Sequence, residues 1–288
     1  MKELNMNSKS WDDLAEIQQQ NVVNSDNKNL LIIDANNLAY RWVRRANYDN
    51  YSHDFISTIQ SLAKSYQAKR VLVCFDFGKS YYRLEMFDKY KGNRTKSEDP
   101  VEIEKMEKFF TVLNDLPNLM HEEVLKFRGV EADDTIAWVT QNISKDYEHT
   151  WVVSSDKDMI QLVDDNVSIF SIFSRKEVTK ESLYENLNVT PSEYVMSRII
   201  EGDVGDNIYG IEGIGPKRAQ GLAREYKTIE NLLASLPIKG KAQYIQNLNK
   251  GKDVLVANEK LINLKAYCVA AINAGKDGDD PFDTLNAL

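Results

Sequence analysis

Residues 30–34 read LLIID, four consecutive apolar residues closed by an aspartate. A run without polar alternation is the mark of a strand buried on both faces, as in parallel sheets covered by helices. The pattern returns at RVLVCFD (70–76) and TWVVSSD (150–156), each again ending in an acid, Asp76 and Asp156. NVSIFS (166–171) is a fourth apolar run. Helical spacing fills the gaps between them. Phe55, Ile59, Leu62 and Tyr66 recur behind Asp54, which is placed to cap them. Asp99-Pro100 opens a helix with Pro at its first position, and Ile103, Met106, Phe110 and Leu113 make its expected face. GVEADD (129–134) opens another, with Ile136, Val139 and Ile143 inward. Strands alternating with helices define an α/β fold, a central and mostly parallel sheet flanked by helices. Ligands bind beyond the carboxyl ends of strands in such sheets. Asp34, Asp76 and Asp156 are therefore expected to meet in space.

The 288 residues suffice for one large domain or two smaller ones. Two cysteines, Cys74 and Cys268, are too few for a disulfide framework or a thiolate zinc site. Cys74 lies inside VLVCF and reads as a buried thiol of a reducing compartment. The N-terminal stretch lacks the apolar core of a signal peptide and no run approaches a membrane span, so the expectation is a cytosolic chain with no membrane partner. The net charge of −8 speaks at first against nucleic acid. Its distribution does not, because KSYYRLEMFDKYKGNRTK (79–96) carries six basic and two acidic residues.

The acids concentrate in Asp34, Asp76, Glu131, Asp133, Asp134, Asp156, Asp158, Asp203 and Asp206. Without these nine, 35 acids face 36 basic residues, so the acidity of the chain is numerically the acidity of this set. Any one of them alone reads equally well as a solvated loop residue or a helix cap. Together at three strand ends, one helix start and the GDVGD turn, they form a constellation that cannot remain ionised unaided. Oxygen donors without His or Cys suit Mg²⁺ or Mn²⁺ rather than zinc. Two metals roughly 3.5–4 Å apart activate water and stabilise a leaving oxygen in phosphodiester hydrolysis.

The segments LIIDANNLAYR, VCFDFGKSYYR, YKGNR, RGVEADDTIA, VVSSDKDMIQL and EGDVGDNIYGIEGIGPKRA resemble, in order and spacing, the flap endonuclease and 5′-nuclease family, and its bacteriophage branch most closely. The resemblance spans roughly residues 29–270. It implies a resolvase-like nuclease core at 29–189 that includes a helical arch at about 79–112, and a three-helix helix-hairpin-helix module at 190–270. A polar N-terminal arm (1–28) and a loose C-terminal tail (271–288) flank them. All nine acids match family metal positions, which implies at least two Mg²⁺ or Mn²⁺ ions and an active enzyme. The implied substrate is flapped, branched or 5′-ended DNA, cut by a monomer, in a bacterial host cell if the chain is phage-encoded. Lys157, between Asp156 and Asp158, departs from the family, where glycine is common.

The basic segment matches the family's arch. Lys91 and Arg94 are implied to contact the scissile phosphate and offset charge in the transition state. Tyr90 is implied to stack on a base, whereas Tyr81, Tyr82 and Phe87 read as arch packing. Arg41 reads either as a phosphate contact or as a structural salt bridge. In GIEGIGPKRA (210–219), Gly213 and Gly215 admit a phosphate to the backbone at a helix start, and Lys217 and Arg218 add charge. The family's hairpin often holds K⁺ on carbonyls. Two other readings stand beside this one. A PIN-type ribonuclease or junction resolvase shares the acids but usually lacks the arch and hairpin. A non-catalytic DNA-binding protein would have lost acids, and none is missing.

Overall fold

LLIID forms the centre of a six-stranded sheet. A computed structural model describes residues 27–43, 50–94, 97–275 and 280–288; the proposed arm at 1–28 lies almost wholly outside them. The strands are β1 (Asn29–Asp34), β2 (Ala68–Phe75), β3 (Glu123–Lys126), β4 (Thr150–Val153), β5 (Val167–Ser171) and β6 (Lys176–Val178). They lie in the order β3-β2-β1-β4-β5-β6, all parallel except β6 against β5. The two strands of this sheet that sequence reading missed, EVLK and KEV, are short edge strands with no apolar run to betray them.

The alternation of β1 side chains builds two cores. Leu30 and Ile32, with Leu72, Cys74 and Val152, pack against Ile136 and Val139 of the Ala132–Asn142 helix and Cys268 and Ile272 of the Leu264–Ala274 helix. Leu31 and Ile33, with Val73, Phe75 and Val153, face Leu38, Phe55, Ile59, Leu113 and Leu116 on the other side. Each fully buried aliphatic side chain contributes about 1.5–3 kcal/mol relative to exposure, which fixes the register of a strand buried on both sides. A third core, with Met196, Ile200, Ile208, Ala219, Ala223, Leu232, Leu248 and Leu255, belongs to the C-terminal helical module. That module opens at Pro191–Glu201, where Thr190 and Glu193 cap one another reciprocally.

Three expectations need correction. The 79–112 segment does not lie over the site as one arch. Its first helix, Tyr81–Met86, is packed into the body of the protein with Arg83 only 4 % exposed, while the turn at 90–94 reaches over the acids. The Pro100–Leu119 helix, capped by Asp99 as expected, buries Phe109, Leu113 and Leu116 and leaves Ile103 and Phe110 exposed. Tyr51 stacks on Phe109 and Tyr40 meets it at a tilt, and that aromatic contact selects the face. The tail at 271–288 is not loose where it is described. A helix at Pro281–Leu285 buries Leu285 and sets Phe282 edge-on to Trp138. Two apolar residues three apart suffice to seat this short helix on the sheet's first core. A smaller difference concerns Asp54, which lies in the first turn of Ser52–Ser65, whose capping position is Tyr51.

Candidate metal centre

The chain runs from β1 outward through β2 to β3, then returns to place β4 on the other side of β1. The crevice between the carboxyl ends of β1 and β4 is thus the topological switch point of the sheet. Asp34 ends β1 on one wall of it, and Asp156 follows β4 on the other. Asp34 caps the next helix by accepting the Asn37 N–H (3.1 Å) and also takes the Ser154 hydroxyl (2.7 Å). Asp76, just past β2, accepts the N–H of Ala132 (2.7 Å), so the second strand end is tied to the start of the helix that carries Asp133 and Asp134. Asp156 accepts the Asp158 N–H (2.9 Å). Asp133, Asp158, Asp203 and Asp206 line one small cavity together with Arg83 and Tyr90.

Electrostatics link these groups more tightly than distances alone. Burial and then the charge of Asp76 push the Asp34 carboxyl up to about 7, against the pull of Ser154. Burial raises Asp133 well above the ordinary carboxylate range, and Asp156, Asp34 and Asp76 add to it. Burial and Asp156 push Asp158 up to about 7, with Arg198 opposing. Burial raises Asp76 as well. Four acids, each raised by burial and by neighbouring carboxylates, are a site short of positive charge. Their donors are oxygens alone, which is the chemistry that fits a hard divalent cation.

Part of the missing charge is built in. Arg83 lies flat against Asp134, with Nη1 to Oδ2 at 2.7 Å and Nη2 to Oδ1 at 2.9 Å, and reaches Glu131 at 3.3 Å. Lys91 Nζ donates to Glu131 at 2.7 Å, and Arg94 Nη2 donates to Asp206 at 2.7 Å. Arg198 donates to Asp203 at 2.7 Å and lies 3.7 Å from Asp158. Burial pushes the Glu131 carboxyl up, but Lys91 and Arg83 outweigh it and hold it below its ordinary value. Among the described residues, no three acidic, histidine or cysteine side chains stand close enough to hold an ion as they are. The carboxylates are held by these cations, by Ser154 and Tyr90, and by backbone N–H groups.

Two sequence assignments change. Tyr90 does not offer its ring for stacking, being 2 % exposed within the module's core. Its hydroxyl lies within donating reach of Glu131 (2.9 Å) and Asp206 (3.0 Å) and so bridges the two halves of the acid cluster. Asp134 is fully buried with both oxygens on Arg83, which makes it a counter-ion rather than an open ligand. Arg41 places its guanidinium 5.2 Å from the Trp42 ring. Lys157 is exposed. Sequence reading missed Arg198 and the internal role of Arg83. Arg83 was counted among basic arch residues, and the only signal for Arg198 was a cation one turn before the GDVGD segment.

The hairpin lies apart from the acids. Gly213 has φ +82°, a conformation that favours glycine, and Gly215 caps the Pro216–Tyr226 helix with Pro216 at its first position. Arg218 Nη1 donates to the Gly213 carbonyl (2.6 Å), and its guanidinium stacks 4.5 Å over Tyr244. Lys217 beside it is exposed. A helix start with an exposed lysine beside it favours an anion such as phosphate. Lys217→Ala should therefore weaken duplex binding and flatten the slope of log K against log salt by about one unit. An unchanged slope in fluorescence anisotropy would remove Lys217 from the DNA contact.

A doubly wound sheet with an oxygen-only acid cluster at its switch point, overlaid by lysine and arginine, is the setting of a metal-dependent phosphodiesterase. Comparison with known proteins gives this class its family. Residues 29–188 match the 5′-3′ exonuclease N-terminal resolvase-like domain, and residues 189–276 match the 5′-3′ exonuclease C-terminal SAM fold. The flap endonuclease of Escherichia phage T5 is 41% identical over 282 residues, 96% of each chain. The 5′-3′ exonuclease of Bacillus subtilis is 30% identical over 83% of this chain and 84% of its own. The phage T5 protein co-crystallised with metal ions superposes with a TM-score of 0.83 at 39% identity, over 90% of this chain and 97% of the other. A T5 flap endonuclease pseudo-enzyme-product complex with DNA and metal ions gives 0.84 with the same identity and coverage. The chain belongs to the flap endonuclease and 5′-3′ exonuclease family, whose members are metal-dependent nucleases that hydrolyse DNA.

Proposed function

We propose that this chain cuts DNA near 5′ ends and at single-strand/double-strand junctions, endonucleolytically on flaps and exonucleolytically on free ends. The observation that carries the reading is the convergence of the strand-end acids at the β1/β4 crevice under Lys91 and Arg94. Asp34, Asp76, Asp133 and Asp156 form one group of donors, and Asp158, Asp203 and Asp206 form the other, with Glu131 between them. Two bound Mg²⁺ or Mn²⁺ ions would supply an activated water and a stabilised leaving oxygen. Charge supports that number. Four cations, ion-paired to five of the nine carboxylates, leave five negative charges in the cluster when all the acids are ionised. Two divalent ions would leave one.

Lys91 and Arg94 act in this scheme by exchange. In the present arrangement they neutralise Glu131 and Asp206. With those carboxylates engaged on metal, the two cations would be released to the scissile phosphate and would stabilise its developing charge. Tyr90 keeps Glu131 and Asp206 in register through its hydroxyl, and Asp134 remains paired with Arg83. The hairpin with Gly213, Gly215, Lys217 and Arg218 grips the duplex through phosphates and reads no sequence. A K⁺ ion on the hairpin carbonyls completes the reading. Because Arg218 already bonds the Gly213 carbonyl, K⁺ would compete with that guanidinium. The enzyme is read as a monomer acting in the cytoplasm, that of a bacterial host cell if the chain is phage-encoded. No helix among the described residues is long and apolar enough to cross a membrane.

The test is cleavage of a 5′-labelled flap, a blunt duplex and a 5′-blocked flap, with and without Mg²⁺. Cleavage of the first two, and loss of it without metal, is expected. Lys91→Ala should reduce single-turnover cleavage about 10²-fold or more while changing flap affinity far less. An equal loss in both would make Lys91 a binding residue only. Products internal to the duplex or cut from the 3′ side would overturn the assignment.

A further inference from the structure

The turn between β5 and β6 presents Phe173 to solvent, 59 % exposed. Neither the arch nor the hairpin accounts for this ring. Because β5 runs parallel to β4, the turn emerges at the same edge of the sheet as the acids, one strand beyond the one that leads to Asp156. Neighbouring strands lie about 4.8 Å apart, so the tip flanks the acidic crevice.

The tip is tied to the site rather than hanging free. The Phe173 N–H donates to Ser155 Oγ (3.3 Å), and that hydroxyl also lies 2.9 Å from Ser171 Oγ. Ser171 Oγ in turn accepts the Ser174 N–H. Ser155 precedes Asp156, and its own N–H donates to the Asn37 side chain (2.9 Å), three residues after Asp34. Two hydroxyls thus couple the position of the ring to the two walls of the crevice.

Exposed cations follow the ring in the chain. Arg175 and Lys176 follow it, both exposed, with Arg175 holding φ +54° at the turn, and Lys157 is exposed beside Asp156. The nearby acid Glu177 accepts the Tyr66 hydroxyl on its other side (3.0 Å). An exposed aromatic ring flanked by cations is the combination that holds nucleic acid, with the ring on a base and the charges on phosphates.

We infer that Phe173 is a stacking platform for the terminal nucleobase at the single-strand/double-strand junction, with Arg175 and Lys176 on the adjoining phosphates. The inference rests on the nuclease reading above and adds a second edge to it. Lys91 and Arg94 meet the DNA on the Glu131 and Asp206 side, and Phe173 meets it beyond Asp156. The pair defines where the junction stops relative to the acids.

The experiment uses the full chain without divalent metal, so nothing is cut, and flap DNA carrying 2-aminopurine at the junction. Wild type should bind and quench the probe. Phe173→Ala should lose the quenching and weaken binding roughly 5- to 150-fold, the range of one base–aromatic stack. Phe173→Trp should retain both. With Mg²⁺ added, Phe173→Ala should also spread cleavage over neighbouring positions, since the junction is no longer held. The ring is exposed, so the melting temperature should match wild type. Wild-type affinity and quenching in Phe173→Ala would overturn the inference while leaving the nuclease reading intact. Failure of wild type itself to bind flap DNA would overturn both.

Discussion

Arg83→Met should lower the stability of the protein by about 3–5 kcal/mol, the cost of leaving a buried charge without its partner. Arg83 and Asp134 are 4 % and 0 % exposed, and the guanidinium holds both oxygens of Asp134 while also reaching Glu131. Removing it strands Asp134 inside the protein and leaves Glu131 to Lys91 and Tyr90. Thermal unfolding should shift down by roughly 5–15 °C for a chain of this size. The double variant Arg83→Met, Asp134→Leu removes both charges and should recover much of that loss, because a well-packed apolar pair often replaces a buried ion pair at no net cost. The double variant also decides the role of Asp134. Substantial cleavage by a refolded double variant fits a counter-ion. A variant that folds as well as wild type but takes up one divalent ion fewer would return Asp134 to the metal ligands. A single variant melting within about 2 °C of wild type would show that the pair is not sealed from water.

Asp34→Asn should abolish hydrolysis, a loss of at least about 10³-fold, and at the same time stabilise the metal-free protein. The two effects share one cause. Burial and the neighbouring charge of Asp76 push Asp34 up to about 7, whereas an aspartate in the unfolded chain titrates at about 3.9. The sign follows directly. Below about pH 4 the group is protonated in both states and costs nothing. As pH rises from about 4 to 7 the unfolded chain releases its proton first, and the fold loses stability. Above about 7 the loss is complete, at most about 4 kcal/mol for three pKa units. A bound divalent ion repays it. Metal-free Asp34→Asn should therefore melt higher than wild type at pH 8, with the gap closing toward pH 4. The gain in melting temperature on adding Mg²⁺ should shrink in the variant. A metal-free variant that melts below wild type at pH 8 would show that the hydrogen bonds from Asn37 and Ser154 outweigh the repulsion.

The same residues show how much of the protein was legible before folding. LLIID, VLVCFD and TWVVSSD are read correctly because a strand buried on both faces has to be apolar throughout, whatever surrounds it. Asp99-Pro100 is read correctly because a cap is closed by residues two or three positions away, as it also is at Thr190 and Glu193. The acids at strand ends are legible for a related reason, since the direction of a parallel sheet brings its carboxyl ends to one edge.

What the chain could not disclose locally is which face or partner a side chain chooses. Arg83 in a basic segment looks like a DNA contact, and only the approach of Asp134, 51 positions later, turns it inward. Tyr90 looks like a stacking ring until the module closes over it and leaves its hydroxyl between Glu131 and Asp206. Phe109 rather than Phe110 is buried because Tyr40 and Tyr51 stand opposite it. Periodicity and capping are energies between neighbours in the chain and survive in the sequence. Burial of a charge, choice of a helix face and the pKa of an aspartate are energies between residues that only the tertiary structure brings together.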